Sequence, residues 1–185
     1  MVSDKKETSV IQGRLFTLLD DRGSNEYLYY DDGFLVVGDD GRILFVGPEL
    51  PDEYAHNQIH RTQHLIFPGF VDAHVHYPQL PVIASYGTSL LEWLDKYTFP
   101  EEIKYGDRSY AGKRATRFLE MILEKGVTTA AVFSTIHEIA FESLQASNRD
   151  LGLNLVSGIT GMDRGAPDAL SVDIAAFKDM NQSAI

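Results

Sequence analysis

The sequence contains no cysteine, a single tryptophan and fewer basic than acidic side chains. Without cysteine the chain can form no disulfide, no thiolate metal site and no cysteine nucleophile. Because 16 Lys and Arg stand against 27 Asp and Glu, the formal net charge is −11. Nucleic acids and acidic membranes are bound by clustered cations. We therefore expect neither as a partner, and a small soluble molecule is the favoured ligand.

Long apolar runs are also missing. No run approaches the roughly 18 residues needed to cross a bilayer, and the amino terminus has no apolar core behind its lysines. The lack of cysteine fits a reducing compartment. These features predict a soluble, cytoplasmic protein. With 185 residues of which 44% are apolar, the chain has room for one sizeable domain, or for a small domain and part of a second.

Residues 1–67 carry short β-rich runs and are predicted to form an amino-terminal β-rich domain, as a small antiparallel sheet or sandwich. The runs are SVIQGRLFTLL, EYLYY, FLVV and ILFV. Asp40-Gly41 lies between the last two and is a strong hairpin signal. The polar segment AHNQIHRTQH contains His56, His60 and His64, and we interpret it as a solvated connector rather than a metal site.

Residues 68–185 change to strands that alternate with helices, which predicts a parallel sheet or a β/α barrel. The predicted strands are PGFVDAHVH, GVTTAAVFST and LNLVSGIT. The predicted helices cover Asp107 to Lys125, with a stop at Gly126, then about Glu138 to Leu151, and a last start near Ser171. A complete (β/α)8 barrel takes roughly 250 residues. The segment therefore reads as an incomplete TIM barrel of about three βα units.

The stretch from Tyr77 to Gly106 is too long for a plain connection between a strand and a helix. Long excursions at the carboxyl ends of barrel strands are where active sites are built. We predict a short helix around Leu90, Leu91, Trp93 and Leu94 that ends before Pro100. Its apolar side chains either pack as a lid on the barrel or contact a ligand.

Two histidines two positions apart end the first of these strands, in the motif VDAHVH. Because side chains alternate along a strand, His74 and His76 are predicted to project from one face. Two neutral imidazoles that converge suit zinc, and iron also accepts this ligand type. From the residues alone, two solvated histidines at a strand end remain the alternative. His137 follows the next strand and is predicted to orient a neighbour or order a loop at the same rim.

The motif PGFVDAHVH resembles the first barrel strand of the amidohydrolase superfamily, and HVHYPQ, LLEWLDKYTFPEE and MDRGAPD are similar to its guanine deaminase family. The resemblance implies a (β/α)8 barrel, a sandwich built mainly from the two chain ends, and hydrolysis of guanine to xanthine and ammonia. It implies that His74 and His76 bind one zinc ion per complete site. It further implies that Tyr77, Pro78 and Gln79 contact the purine and that the complete enzyme is a homodimer.

The chemistry of such a reaction explains these residue types. Displacing ammonia from a ring carbon needs a nucleophile stronger than water, and zinc can lower the pKa of bound water to roughly 7. The departing amine must be protonated, so a carboxylate or histidine beside the metal has to transfer a proton. A purine edge also needs a donor and an acceptor at fixed positions. The carboxamide of Gln79 supplies both.

The resemblance also implies two further histidines, an aspartate and a glutamate on later strands, and these have no counterpart here. We therefore expect an amino-terminal fragment of a guanine deaminase, through truncation, a frameshift or a divided gene model. Such a fragment would be inactive alone and prone to aggregate or associate through its open strand edges. Two alternatives stay open. One is an amidohydrolase acting on a triazine or another aminated or halogenated ring, and the other is a non-catalytic β-rich binding module.

Overall fold

A computed structural model describes residues 8–18 and 26–183 of the chain. The chain divides into two compact units, Met1–Pro68 and Gly69–Ile185. The strands are β1 Ser9–Leu18, β2 Tyr27–Val37, β3 Ile43–Gly47, β4 Ile59–Ile66, β5 Phe70–His76, β6 Val127–Phe133 and β7 Asn154–Gly158. The α-helices are α1 Leu90–Trp93, α2 Phe99–Ile103, α3 Arg108–Glu124, α4 Glu138–Asn148 and α5 Ile174–Ser183. None of the helices in the described ranges is long and apolar enough to cross a membrane.

The first unit contains one sheet of four strands in the order β3-β2-β1-β4. Strands β1, β2 and β3 pair antiparallel, as predicted, whereas β4 pairs parallel with β1. The runs EYLYY and FLVV, which read as two strands, form the single strand β2. Their junction is Gly33, which faces Gly13 where the register of β1 and β2 shifts. A side chain there would come within 2.9 Å of both Tyr30 and Leu15. The predicted sandwich, which needs a second sheet, stays a prediction.

Strand β4 corrects the interpretation of AHNQIHRTQH as a connector. Residues Ile59–Ile66 are extended and pair with β1, with His60 opposite Ile11. The side chains of His60 and His64 are exposed. The partner strand β1 satisfies backbone donors and acceptors of β4, so the polar side chains can stay in water. The sequence shows no apolar alternation here because burial contributes little to this edge strand.

The second unit confirms the predicted alternation of strands and helices. Its sheet has the order β5-β6-β7 and is parallel throughout, with α3 following β5 and α4 following β6. Helix α3 begins where predicted, because the side chain of Asp107 accepts a hydrogen bond from the backbone of Tyr110 at 2.7 Å. It stops at Gly126, whose φ of +80° suits glycine. The helix buries Ala111, Ala115, Phe118 and Leu119 on one face.

The outer strands of this sheet expose apolar side chains. Val71 on β5 and Val156 on β7 are 69% and 73% exposed. In the described part of the chain, β5 and β7 each pair with a neighbour on one side only. An unclosed sheet leaves this kind of surface, which a barrel covers by adding strands. Closure into a barrel stays a prediction.

The excursion between β5 and α3 is more helical than predicted. A single-turn α1 continues through a π-helical turn, Leu94–Thr98, into α2. The prediction that the helix ends before Pro100 is wrong. A proline inside a regular helix loses one hydrogen bond and crowds the preceding turn, but a π turn opens the ladder just before it. Leu90 and Leu91 are 69% and 72% exposed, so the packing expected of them is not seen in this chain.

Candidate metal centre

The two histidines at the end of β5 lie on the same side of the strand, as the alternation predicts. Nε2 of His74 and Nε2 of His76 are 3.2 Å apart. His74 is exposed and His76 is half-buried. The backbone N–H of His74 donates to Asp72 Oδ1 at 3.1 Å, so the side chain of Asp72 holds the backbone of β5 at the first histidine. The pair therefore presents two ring nitrogens to one point at the carboxyl end of the strand.

The separation of these nitrogens fits two ligands of one metal ion. Two nitrogens bound to a tetrahedral zinc at the usual length of about 2.0–2.1 Å lie about 3.3 Å apart, close to the observed 3.2 Å. The same separation would suit a hydrogen bond if one nitrogen carried a proton and the other did not. Within residues 8–18 and 26–183, no group of three or more His, Asp or Glu side chains is arranged to hold a metal. The described residues thus offer two ligands.

Phe133, the last residue of β6, packs against both imidazoles. Its ring is stacked on that of His76 at 4.8 Å, and the ring of His74 lies 4.7 Å away in a tilted orientation. The contact follows from the register of the sheet, which pairs His76 directly with Phe133. No motif in the sequence indicates this role. The available signal is that both residues end neighbouring parallel strands and so meet at one rim.

The electrostatic environment of His76 favours its neutral form. Burial, and then the neighbouring His74, lower the pKa of His76 below its usual range. Metal ions bind imidazole only when the binding nitrogen is unprotonated. The site therefore keeps this side chain in the state that a cation requires.

The predicted substrate residues separate into two groups. Gln79 lines a cavity of about 290 Å3 together with His74 and His76. Tyr77 and Pro78 are buried and are not part of this lining. The hydroxyl of Tyr77 donates to the backbone carbonyl of Ala140 on α4 at 2.8 Å. The structure therefore brings Gln79 to the histidines and places Tyr77 and Pro78 in the interior, where a substrate could reach them only if the turn left the core.

Gln79 has a buried partner that no local pattern singles out. Its Nε2 lies 3.5 Å from Oε1 of Glu102, which is 7% exposed. Burial raises the pKa of Glu102, while the contact with Gln79 acts in the opposite direction. The neighbouring Glu101 is equally buried but contacts Lys104 Nζ at 2.6 Å and the hydroxyl of Tyr110. The only signal in the sequence is the acidic pair that follows Pro100.

His137, predicted at this rim, and Arg164 have simpler surroundings. His137 precedes α4, and its backbone N–H donates to Thr135 Oγ1 at 3.0 Å. Its Nε2 is buried and has no hydrogen-bond partner in the described ranges, and burial lowers the pKa of His137. Arg164 lies 3.3 Å from its exposed sequence neighbour Asp163. The two side chains form a surface ion pair, and Asp163 also lines a cavity of about 120 Å3 together with Val172 and Phe177.

Comparisons with known proteins find similar sequences and similar folds. Over 148 residues the chain is 36% identical to guanine deaminase from Escherichia coli (strain K12). The alignment covers 77% of this chain and 33% of that protein. The crystal structure of guanine deaminase from Bradyrhizobium japonicum superposes with a TM-score of 0.83 at 34% identity, covering 95% of this chain and 40% of that chain. For the crystal structure of guanine deaminase from C. acetobutylicum with bound guanine in the active site, the TM-score is 0.86 at 29% identity. This superposition covers 96% of this chain and 42% of that chain.

The chain spans about a third of the length of the curated relatives it matches. The model of the amidohydrolase family matches residues 65–182. That range includes β5 with both histidines, the turn that carries Gln79, and all three strands of the parallel sheet. The chain belongs to the amidohydrolase family.

Proposed function

We propose that this chain supplies the first part of a guanine deaminase, a zinc-dependent enzyme that hydrolyses guanine to xanthine and ammonia. The observation that carries the proposal is the 3.2 Å approach of the His74 and His76 nitrogens beside Gln79. Relatives that are guanine deaminases support this choice of substrate at 36% identity in sequence and 34% in a solved structure. The activity belongs to a longer protein, because the chain spans about a third of those relatives.

When bound, zinc supplies a Lewis acid that lowers the pKa of water and so provides a nucleophile near neutral pH. His74 and His76 would hold the ion as neutral imidazoles, and Phe133 limits the rotation of both rings by packing against them. Catalytic zinc sites generally use three protein ligands. We infer that the remaining ligand or ligands and the proton-transferring carboxylate lie outside these residues. The 185-residue chain alone is then expected not to turn over guanine.

Gln79 is proposed to contact the purine. A carboxamide offers an acceptor oxygen and two N–H donors, and guanine presents both N–H groups and ring nitrogens along its edges. Leu80 and Ile83 line the same cavity and provide apolar surface for the ring faces. This division between one polar residue that sets orientation and apolar walls is typical of small-molecule sites.

A hybrid protein tests the proposal. Residues of this chain would be followed by the carboxyl-terminal two thirds of the E. coli guanine deaminase, and conversion of guanine to xanthine would be followed by ultraviolet absorbance. We expect turnover, and we expect His74→Ala and His76→Ala each to lower kcat/KM by more than about 100-fold. Loss of a residue that only hydrogen-bonds to a metal ligand already lowers metal affinity or activity by about 10- to 100-fold. His64→Ala, at an exposed position on β4, is the matched control and should change nothing.

Zinc content separates the possible failures. Elemental analysis of the hybrid should show one ion per chain, and loss of that ion in both histidine variants. A folded, zinc-loaded hybrid that hydrolyses a triazine but not guanine would overturn the substrate. Full zinc content and full activity in both histidine variants would overturn the metal role. If the hybrid does not fold, imidazole resonances of the 185-residue chain under added Zn2+ give a direct reading, since both rings should respond together.

The complete enzyme is further proposed to be a cytoplasmic homodimer. The lack of cysteine supports a reducing compartment, and the dimer is implied by the family resemblance. Light scattering of the hybrid after size-exclusion chromatography tests the dimer, and a monomer at micromolar concentration would contradict it.

A further inference from the structure

Two adjacent carboxylates of α2 are buried, and they have different partners. Glu101 is 5% exposed and contacts the ammonium group of Lys104 and the hydroxyl of Tyr110. Glu102 is 7% exposed, and in the described part of the chain its side chain contacts Gln79 and no cation. A buried carboxylate without a positive partner is unfavourable for folding. A functional reason for keeping Glu102 is therefore worth seeking at Gln79.

The contact between Glu102 and Gln79 determines whether the oxygen or the nitrogen of the Gln79 amide points toward the cavity. The oxygen and nitrogen of a glutamine side chain are nearly equal in size, so only hydrogen bonding selects one orientation. An ionised carboxylate can only accept. Glu102 consequently attracts Nε2 of Gln79 and leaves Oε1 free to face the cavity that Gln79 lines with His74 and His76.

The backbone on both sides of this contact is held in place. Gln79 lies in the 3-10 turn Tyr77–Val82, which contains two prolines and is anchored by the buried Tyr77 hydroxyl on α4. Glu102 lies in α2, and both Phe99 at the start of that helix and Tyr105 just beyond it are buried. With both backbones held, the remaining freedom lies in the side-chain torsions of Gln79 and Glu102. A hydrogen bond between the two side chains then selects the orientation of the amide.

We propose that Glu102 is a positioning residue that holds the carboxamide of Gln79 with Oε1 toward the substrate. The inference rests on the proposed function, in which Gln79 contacts the purine. An outward oxygen accepts from N–H groups, so the site selects heterocycles that present a ring or amino N–H donor at this edge, as guanine does. Rings that offer only acceptor nitrogens there would face an unpaired oxygen and bind poorly.

The first test uses the 185-residue chain and needs no activity. The side-chain NH2 signals of Gln79 would be assigned in a 15N-labelled sample and compared with those of Glu102→Gln and Glu102→Met, each checked for folding by circular dichroism. We expect these signals to shift in both variants and to stay in place in Glu101→Gln, the matched neighbour. Unchanged Gln79 signals in both Glu102 variants would overturn the positioning role.

The second test uses steady-state kinetics in the hybrid. Since Glu102 acts only through Gln79, Glu102→Gln should raise KM for guanine about fivefold to tenfold, the value of one modest hydrogen bond, and leave kcat within about twofold. Glu102→Asp, which keeps the acceptor, should recover part of the loss. In a Gln79→Ala background, Glu102→Gln should have no further effect.

The two levels of the proposal fail differently. Additive effects of Glu102→Gln and Gln79→Ala, or a fall in kcat with KM unchanged, would overturn the positioning role while guanine turnover stands. A folded hybrid with no guanine turnover would overturn the proposed function. In that case the resonances of Gln79 in the 185-residue chain still decide whether Glu102 orients its amide.

Discussion

Replacing Tyr77 by phenylalanine separates a core anchor from a substrate contact. Tyr77 directly follows the histidine pair and is fully buried. Its hydroxyl donates to the carbonyl of Ala140 at 2.8 Å, which joins the turn carrying Gln79 to α4. Tyr77→Phe removes the hydroxyl with its bond to Ala140 and keeps the ring, which packs against Tyr105 at 5.2 Å and Phe118 at 5.8 Å. The variant therefore isolates the hydroxyl.

The expected loss follows from the hydrogen bond alone. A typical internal hydrogen bond contributes about 0.5–1.5 kcal/mol net, and a buried group left without a partner costs about 1–3 kcal/mol. Because a carbonyl oxygen has two lone pairs and that of Ala140 lies in a helix, the vacated site is only partly unsatisfied. We expect the free energy of unfolding of the second unit to fall by about 1–2 kcal/mol.

Urea denaturation followed by circular dichroism measures this loss. With a slope of about 2 kcal/mol per molar urea, the midpoint should move down by about 0.5–1 M. Tyr86→Phe is the matched control, because Tyr86 is 78% exposed. Its midpoint should stay within about 0.25 M of that of the original chain, which corresponds to about 0.5 kcal/mol.

Equal midpoints for Tyr77→Phe and Tyr86→Phe would refute the reasoning. The hydroxyl of Tyr77 would then not be bonded in the interior. If Tyr77→Phe in the hybrid also raised KM for guanine without any loss of stability, the sequence-based prediction that Tyr77 contacts the substrate would replace the placement described above.

Three further predictions concern stability and are measured by urea denaturation of the 185-residue chain. Burial raises the pKa of Tyr105 above its unfolded value of about 10. The stability that the neutral phenol contributes is therefore complete below pH 10 and is lost as the pH rises above it. The midpoints at pH 8 and pH 10.5 should differ less in Tyr105→Phe than in the original chain. Gly126→Ala should lower the free energy of unfolding by about 1 kcal/mol because φ is +80°. Gly112→Ala, inside α3 where a Cβ meets no neighbour, should raise it by up to about 1 kcal/mol. A change of the same sign in both variants would contradict this. At pH 7, Glu102→Gln should raise the free energy of unfolding, since burial disfavours its charge, and Glu101→Gln should lower it by breaking the contacts with Lys104 and Tyr110.

Local signals predicted much of the second unit. The predicted span from Asp107 to Lys125, with a stop at Gly126, matches α3 to within a residue at each end, because the residues that begin and end the helix act on backbone groups next to them. The spacing of His74 and His76 sufficed to place both rings on one side of β5. These features depend on the chain over a few residues, so the order of the amino acids is enough to infer them.

Other elements escaped prediction, one of them because its cause lies far away in the chain. Strand β4 carries polar side chains and forms through backbone pairing with β1, about fifty positions earlier, as Ile11 opposite His60 shows. The helical run past Pro100 has a nearby cause instead, because a π turn, Leu94–Thr98, directly precedes it. Pairing with β1 thus overrules a local pattern that favours a connector, and the π turn overrules one that favours a helix end.

The composition and motifs of this chain were enough to indicate the family, the alternating architecture and the shared face of the two histidines. Only the packed structure decided that Tyr77 turns inward while Gln79 stays at the cavity, since neighbours along a tight turn can face either way. It also decided that Glu102, 23 positions further on, is the partner of Gln79. Sequence periodicity sets direction within one element, whereas the pairing of side chains from different elements depends on how those elements pack.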